Sequence, residues 1–223
     1  MIKLVVLDVD GTLTDKNRLI STNAIKYIRK GMNRDRVFSL ISGNVIPVMF
    51  ALQTFIGING PVFAENGGIL LYKNQVKKFF DKTRAEKFLE YISKKSSVKP
   101  VFTNMWRETS IAFNMNDSDE SYVSGEAEKN GLYIVNSRFT WHLMDKSQNK
   151  AYAVNYMKDQ FELNYDEILV VGDSDNDIPM FNLNVNRACP ANATASIKNK
   201  SDYVSKHRYG NEIEDILKYY KIL

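Results

Sequence analysis

Two aspartates, Asp8 and Asp10, stand one residue apart at the end of the apolar run Val5-Val6-Leu7, and Gly11 follows them. Side chains two apart on a strand point the same way, so the spacing predicts two carboxylates converging at the carboxyl end of a first strand. Adjacent carboxylates repel and need a cation or a shared proton between them. Gly11 lets the backbone turn tightly toward a ligand. A pair of capping aspartates in a turn would use the same residues with no cation. A second acidic cluster, Gly172-Asp173-Ser174-Asp175-Asn176-Asp177, also follows an apolar run, Glu167–Val171. Clustered hard oxygens suit Mg²⁺, which takes one or two carboxylates and completes its shell with water and phosphate oxygens. A calcium loop of the EF-hand type would need a Glu at its twelfth position and other flanks. An acidic helix N-terminus is the plainer use of such residues.

Two further places could complete a phosphate site. Ser42-Gly43-Asn44 lies between a strand-like run and a helical one, and a hydroxyl, a glycine and free N–H groups there make an anion site. Ser and Asn are also ordinary caps. Lys150 begins a helical stretch and could reach a phosphate as a point charge, although most lysines are solvated. Together the four positions hold what phosphoryl transfer requires: a nucleophile, a cation, and donors for the equatorial oxygens. A carboxylate can be the covalent nucleophile. The expected chemistry is that one aspartate attacks phosphorus and the other handles the proton, while Mg²⁺ lets an anionic nucleophile approach an anionic phosphate.

The elements that would carry these residues read as a βα rhythm. Ile2–Val9, Val37–Ile41 and Glu167–Val171 are rich in Val, Leu and Ile without alternation, the pattern of parallel strands covered on both faces. Val62–Ala64, Ile69–Tyr72 and Val76–Phe79 are shorter strand candidates, with Glu65-Asn66-Gly67-Gly68 as a turn signal. Helices are expected after the cap cluster Ser21-Thr22-Asn23, over Val45–Phe55 with Pro47 in its first turn, over Lys150–Phe161 and over Asn211–Tyr220. Val185–Ala188 and Tyr203-Val204 complete the strands. Residues 80–145 differ: a basic helix (Arg84–Lys95), an acidic one (Asp117–Lys129), and strands at Thr109–Met115, Leu132–Val135 and Phe139–Met144. In the last strand Phe139, Trp141 and Leu143 alternate with Thr140 and His142, which predicts one covered and one wet face. The fold expected is α/β, a doubly wound parallel sheet with a Rossmann-like core over residues 1–79 and 146–223, carrying an inserted smaller α+β cap domain over 80–145.

Composition narrows the classes. Of 223 residues, 44% are apolar and 25% charged, as in ordinary globular proteins. A net charge of +4 from scattered Lys and Arg suits a small anionic ligand and argues against nucleic acid. No run approaches a membrane span, and the N-terminal apolar run is too short for a signal peptide, so a cytoplasmic protein is expected. The single cysteine, Cys189, forms no intrachain disulfide and reads as a buried, inert thiol. Trp106 could sit in the core or in a contact between chains, so the expected state is a monomer or a homodimer.

On D-V-D-G-T-L-T at 8–14, Ser42, Lys150 and G-D-S-D-N-D at 172–177, the chain resembles the haloacid dehalogenase superfamily of phosphatases over nearly its whole length. The resemblance implies Asp8 as nucleophile and Asp10 as general acid/base. It implies phosphate or substrate contacts from Ser42 with Gly43, from Lys150 and from Asn176. It implies Mg²⁺ held by Asp8, the backbone carbonyl of Asp10 and Asp173, with Asp177 holding the metal's water shell or the lysine. The insertion between Ser42 and Lys150 matches the larger cap of the subclass that includes sugar-phosphate phosphatases, although it is short for that subclass. That short insertion, A-E-N-G-G at 64–68 and the W-H-L-M strand most resemble archaeal phosphoglycolate phosphatases. The substrate implied is a small phosphorylated molecule, 2-phosphoglycolate, whose carboxylate calls for a cap donor such as Arg107, Arg138 or His142. Asn149-Lys150-Ala151 departs from the family's usual Asn-Lys-Gly. Other phosphate chemistries share parts of this pattern: a sugar-phosphate phosphatase, a phosphomutase, and a receiver domain that is phosphorylated without turnover.

Overall fold

Leu4–Leu7 forms β1, and its alternate residues enter two different cores. Val5 and Leu7 pack with residues of α1 (Thr22–Met32) and α8 (Glu212–Tyr219), while Leu4 and Val6 pack with residues of α5 (Lys150–Gln160), α6 (Ile178–Phe181) and α7 (Ala195–Lys200). A strand covered on both faces has no polar side to present, which is why the run is apolar without alternation. The computed structural model describes residues 1–137 and 139–223.

The main sheet has eight strands. From one edge they are β12 (Tyr203–Val204), β11 (Asn186–Cys189), β10 (Ile168–Val171), β1, β2 (Val37–Ile41), β3 (Val62–Ala64), β4 (Ile69–Tyr72) and β5 (Gln75–Lys78). Pairings from β12 to β3 are parallel, and β4 and β5 add an antiparallel hairpin at one edge. The chain leaves β1 for β2 on one side and returns to β10 on the other. The strand ends at this reversal form the crevice where doubly wound sheets bind ligands. The α/β reading therefore holds, and Cys189 is buried at the end of β11 as expected. No described helix is long and apolar enough to cross a membrane.

A second sheet of four antiparallel strands lies between β5 and α5 in the chain. Its order is β6 (Lys99–Pro100), β7 (Ser110–Asn114), β9 (Trp141–Asp145) and β8 (Leu132–Asn136). Helices α3 (Thr83–Ile92) and α4 (Glu120–Lys129) cover it, and Phe88, Ile111, Phe113, Trp141 and Leu143 share its core. One expectation fails here: β9 has no wet face. His142 and Met144 are as buried as Trp141 and Leu143, because the face that alternation marks as polar lies against the main sheet's loops.

The two sheets are fastened through Glu65, just after β3. Its carboxylate accepts from the backbone N–H groups of Glu108 (2.9 Å), Thr109 (3.0 Å) and Ser110 (2.8 Å), and from the hydroxyls of Thr109 (3.2 Å) and Ser110 (2.7 Å). The Glu65 carbonyl accepts from Gln148 Nε2 at 2.6 Å. The turn expected at residues 65–68 is present, with Glu65 and Asn66 both in the left-handed region. That strained turn presents a buried anion to a segment far away in sequence. Glu65→Ala would strand buried donors, each costing about 1–3 kcal/mol, so urea unfolding should show about 3–5 kcal/mol lost. A loss below about 1 kcal/mol, the worth of an ordinary exposed bond, would contradict this role.

Candidate active site

Strand β1 ends at Leu7, so Asp8 and Asp10 lie in the loop beyond it and not on the strand itself. This corrects the expectation of two strand neighbours pointing together. The chain turns at once: the Leu13 and Thr14 N–H groups return to the Val9 carbonyl, and Gly11 takes φ +84°. The two carboxylates consequently have separate partners while lining one cavity.

Asp8 is buried and accepts from Lys150 Nζ at 2.6 Å. Lys150 is the first residue of α5, whose N-cap, Asn149, accepts from the Tyr152 N–H. It is wholly buried, and its ammonium also reaches Asp177 Oδ1 at 2.5 Å. The other oxygen of Asp177 accepts the backbone N–H groups of Asp173 (2.9 Å) and Ser174 (3.1 Å), so one side chain orders the loop after β10 and orients the lysine. Asp8, Asp173 and Asp177 each offer a carboxylate oxygen within 4.8 Å of the others, all buried. Gly11 makes room for this group, since a Cβ there would lie 2.4 Å from Asp173 Oδ2.

Lys150 pairs with Asp8 and Asp177, and Asp173 adds a third buried carboxylate to the group. Burial pushes the Asp8 carboxyl well up, against the pull of Lys150, and Asp177 and Asp173 push the same way. Burial alone would lower the Lys150 ammonium, but the carboxylates of Asp177 and Asp8 outweigh it and raise it. The hard-oxygen donor set fits a divalent cation. The Asp10 carboxylate is not a member of this set among the described residues.

Asp10 belongs to a second network. Its Oδ1 accepts from Arg18 Nε (2.9 Å), and its Oδ2 from Asn44 Nδ2 (2.6 Å) and, more weakly, the Ser42 hydroxyl (3.4 Å). Arg18 Nη2 donates to Asn44 Oδ1 at 2.9 Å, closing the ring, and its guanidinium lies 5.3 Å from the centre of the Phe139 ring. Ser42 is buried at the end of β2, and its Oγ accepts from the Asn44 N–H at 3.1 Å. Sequence reasoning did not single out Arg18. It sits in an irregular loop and its partners lie across the fold, so no local pattern marks it.

The cavity has a volume of about 230 Å³ and lies between the two sheets. Asp8, Asp10, Ser42, Gly43 and Asn176 line one wall; Arg107, His142, Phe139 and Trp106 line the other. Lys150, Asp173 and Asp177 sit behind Asp8, outside the lining. Gly43 brings the walls together, because a Cβ there would lie 3.0 Å from the His142 ring. His142 Nε2 pairs with the Ser137 hydroxyl at 3.2 Å, and burial holds its imidazole well below the usual range, with Arg107 and Lys150 adding to the effect. Trp106 is part of this rim and not of a core. Arg138 lies outside the described residues. A larger open cleft near Ser21 and Lys206 is lined by none of the expected site residues.

A family model for haloacid dehalogenase-like hydrolases matches residues 5–135 and 117–217. The phosphoglycolate phosphatase of Thermoplasma volcanium is 53% identical over 224 residues, covering 100% of both chains. A crystal structure of a Thermoplasma acidophilum protein superposes with a TM-score of 0.96 at 52% identity, again over 100% of both chains. A phosphatase of the superfamily from Bacteroides thetaiotaomicron shares the fold at a TM-score of 0.83 and 18% identity, over 100% of this chain and 96% of that one. With the motifs gathered at the switch of a doubly wound sheet, these matches show that the chain belongs to the haloacid dehalogenase-like hydrolase family.

Proposed function

We propose that this chain is a Mg²⁺-dependent phosphomonoesterase that hydrolyses 2-phosphoglycolate to glycolate and phosphate through an aspartyl-phosphate. The observation that carries the reading is Asp8, a buried carboxylate at a strand end, facing a small cavity and fixed from behind by a buried lysine. The substrate is inferred from the full-length relatives that bear the name phosphoglycolate phosphatase. The cavity supports it: 230 Å³ is below the usual range for ligand pockets and equals about eight water volumes, room for an ester of a few carbons.

With Asp8 Oδ1 held by Lys150, Oδ2 is the oxygen left to attack phosphorus. As the new oxygen–phosphorus bond forms, the ester bond to the leaving alkoxide breaks, and Asp10 supplies the proton that the alkoxide takes. Asp10 then accepts a proton from water as that water attacks the acyl phosphate, which frees phosphate and restores the Asp8 carboxylate. Arg18 and Asn44 fix the direction the Asp10 carboxyl faces, so the proton is delivered along one line. Ser42 and Asn176 present polar groups to the phosphoryl oxygens from the same wall. Asp8, Asp173 and the Asp10 carbonyl would hold Mg²⁺, with Asp177 ordering Lys150 and the water shell. Bound there, the ion would neutralise charge on the phosphoryl oxygens and on Asp8. Residues 80–145 act as the cap that closes over the substrate.

Asp8→Asn keeps the shape and removes the nucleophile. Phosphate release from 2-phosphoglycolate should fall by about 10⁴-fold or more, with the folded circular dichroism spectrum intact, and a rate within about tenfold of wild type would contradict the assignment. Exhaustive treatment with EDTA should stop the reaction and added Mg²⁺ should restore it. Full activity after chelation would overturn the metal reading.

A further inference from the structure

Arg107 follows the short helical segment Phe102–Trp106 and immediately precedes the stretch that binds Glu65. Its side chain is only 4% exposed. Nη1 donates to the Ser110 hydroxyl at 3.0 Å and Nη2 to the Gly43 carbonyl at 3.1 Å, while the buried Nε has no partner among the described residues. A guanidinium has five N–H donors, so neutral groups occupy a minority of them. No carboxylate among the described residues lies within 4.0 Å of it. Glu65, the carboxylate whose field acts on Arg107, is taken up by donors from residues 108–110.

A buried cation without a counter-ion is costly, and natural sites keep one only where something else repays the desolvation. Among the described residues, the other cations at this site are paired: Arg18 with Asp10, and Lys150 with Asp8 and Asp177. Arg107 lines the cavity on the wall facing the carboxylates, fixed in place by Ser110 and Gly43. A planar guanidinium matches a carboxylate in bidentate geometry. Burial disfavours a charge on the neighbouring His142 imidazole, which offers a hydrogen bond.

We propose that Arg107 is the specificity-determining residue of the cavity: its guanidinium binds a carboxylate a few bonds from the phosphorus, so the site selects phosphorylated short-chain acids over neutral phosphoesters. This assignment rests on the phosphatase reading above and deepens it. The missing counter-ion of Arg107 is the substrate's own second anion. Substrate enters with charges at both ends, and each end meets its complement on one wall.

The test compares kcat/KM for 2-phosphoglycolate and for 2-hydroxyethyl phosphate, which carries an alcohol in place of the carboxylate. The wild-type enzyme is expected to prefer the acid by about 100-fold, the scale of one desolvated charge pair. Arg107→Met should bring the ratio of the two values close to one. Arg107→Lys, which keeps the charge and loses the fork, should fall between them. A wild-type enzyme that hydrolyses both esters equally overturns the proposal and leaves the phosphatase reading standing. So does an Arg107→Met variant in which both substrates lose the same factor, because Arg107 would then serve the phosphoryl group or the fold. If Arg107→Met does not fold, the wild-type ratio and the lysine variant decide. Phosphate release from neither ester contradicts the phosphatase reading, and the assignment falls with it.

Discussion

Three carboxylates buried within 4.8 Å of one another, two of them bonded to one ammonium, are the costly feature around which this fold is arranged. Taking a carboxylate out of water costs several kcal/mol even after relaxation, and a single lysine cannot compensate three of them. Asp8, Asp173 and Asp177 are nevertheless buried together with Lys150 between them. The rest of the fold serves to hold that cluster. Strands β1 and β10, covered on both faces, deliver Asp8 and Asp173 to adjacent ends. Helix α5 delivers Lys150 with its first residue, and Gly11 leaves the space that Asp173 fills. Buried hard oxygens grouped in this way fit a divalent cation.

The second sheet closes the account of charge. Of the carboxylates on the main sheet's loops, Asp8 and Asp177 pair with Lys150 and Asp10 pairs with Arg18. The wall contributed by the second sheet offers Arg107, a buried guanidinium bonded to neutral groups. Glu65 keeps this wall in register, because the donors it binds immediately follow Arg107 in the chain. A shift of the second sheet would therefore move Arg107 relative to Gly43 and open the cavity. The proposed specificity is thereby joined to the structure through two buried charges of opposite sign, Glu65 and Arg107.

Much of this was legible in the residues. Runs at Val37–Ile41 and Val62–Ala64, apolar but for Ser39, marked strands to the residue, because burial on both faces leaves little room for polar positions. Carboxylates and glycines at strand ends marked the site. What the sequence hid depends on distant partners. Glu65 reads as one residue of a turn, yet its bonding partners lie 43 to 45 positions away. Arg18 reads as a loop cation until Asn44, 26 positions on, is placed beside it. The alternation over Phe139–Met144 suggested water on one face, and only the packing of one sheet against the other's loops shows His142 buried there. Helix α7 went unread because six residues are too few to establish a helical period, and β6, Lys99–Pro100, because neither residue type marks a strand.

The central claim is that Asp8 carries the phosphoryl group between substrate and water. The direct measurement is to quench the enzyme in acid during steady-state turnover of 2-phosphoglycolate and map its peptides by mass spectrometry. The account predicts a phosphoryl group on the peptide that carries Asp8, labile to hydroxylamine as an acyl phosphate must be. A phosphoryl group on any other residue, or turnover with no trapped phosphoryl group and with inversion of configuration at phosphorus, would contradict it.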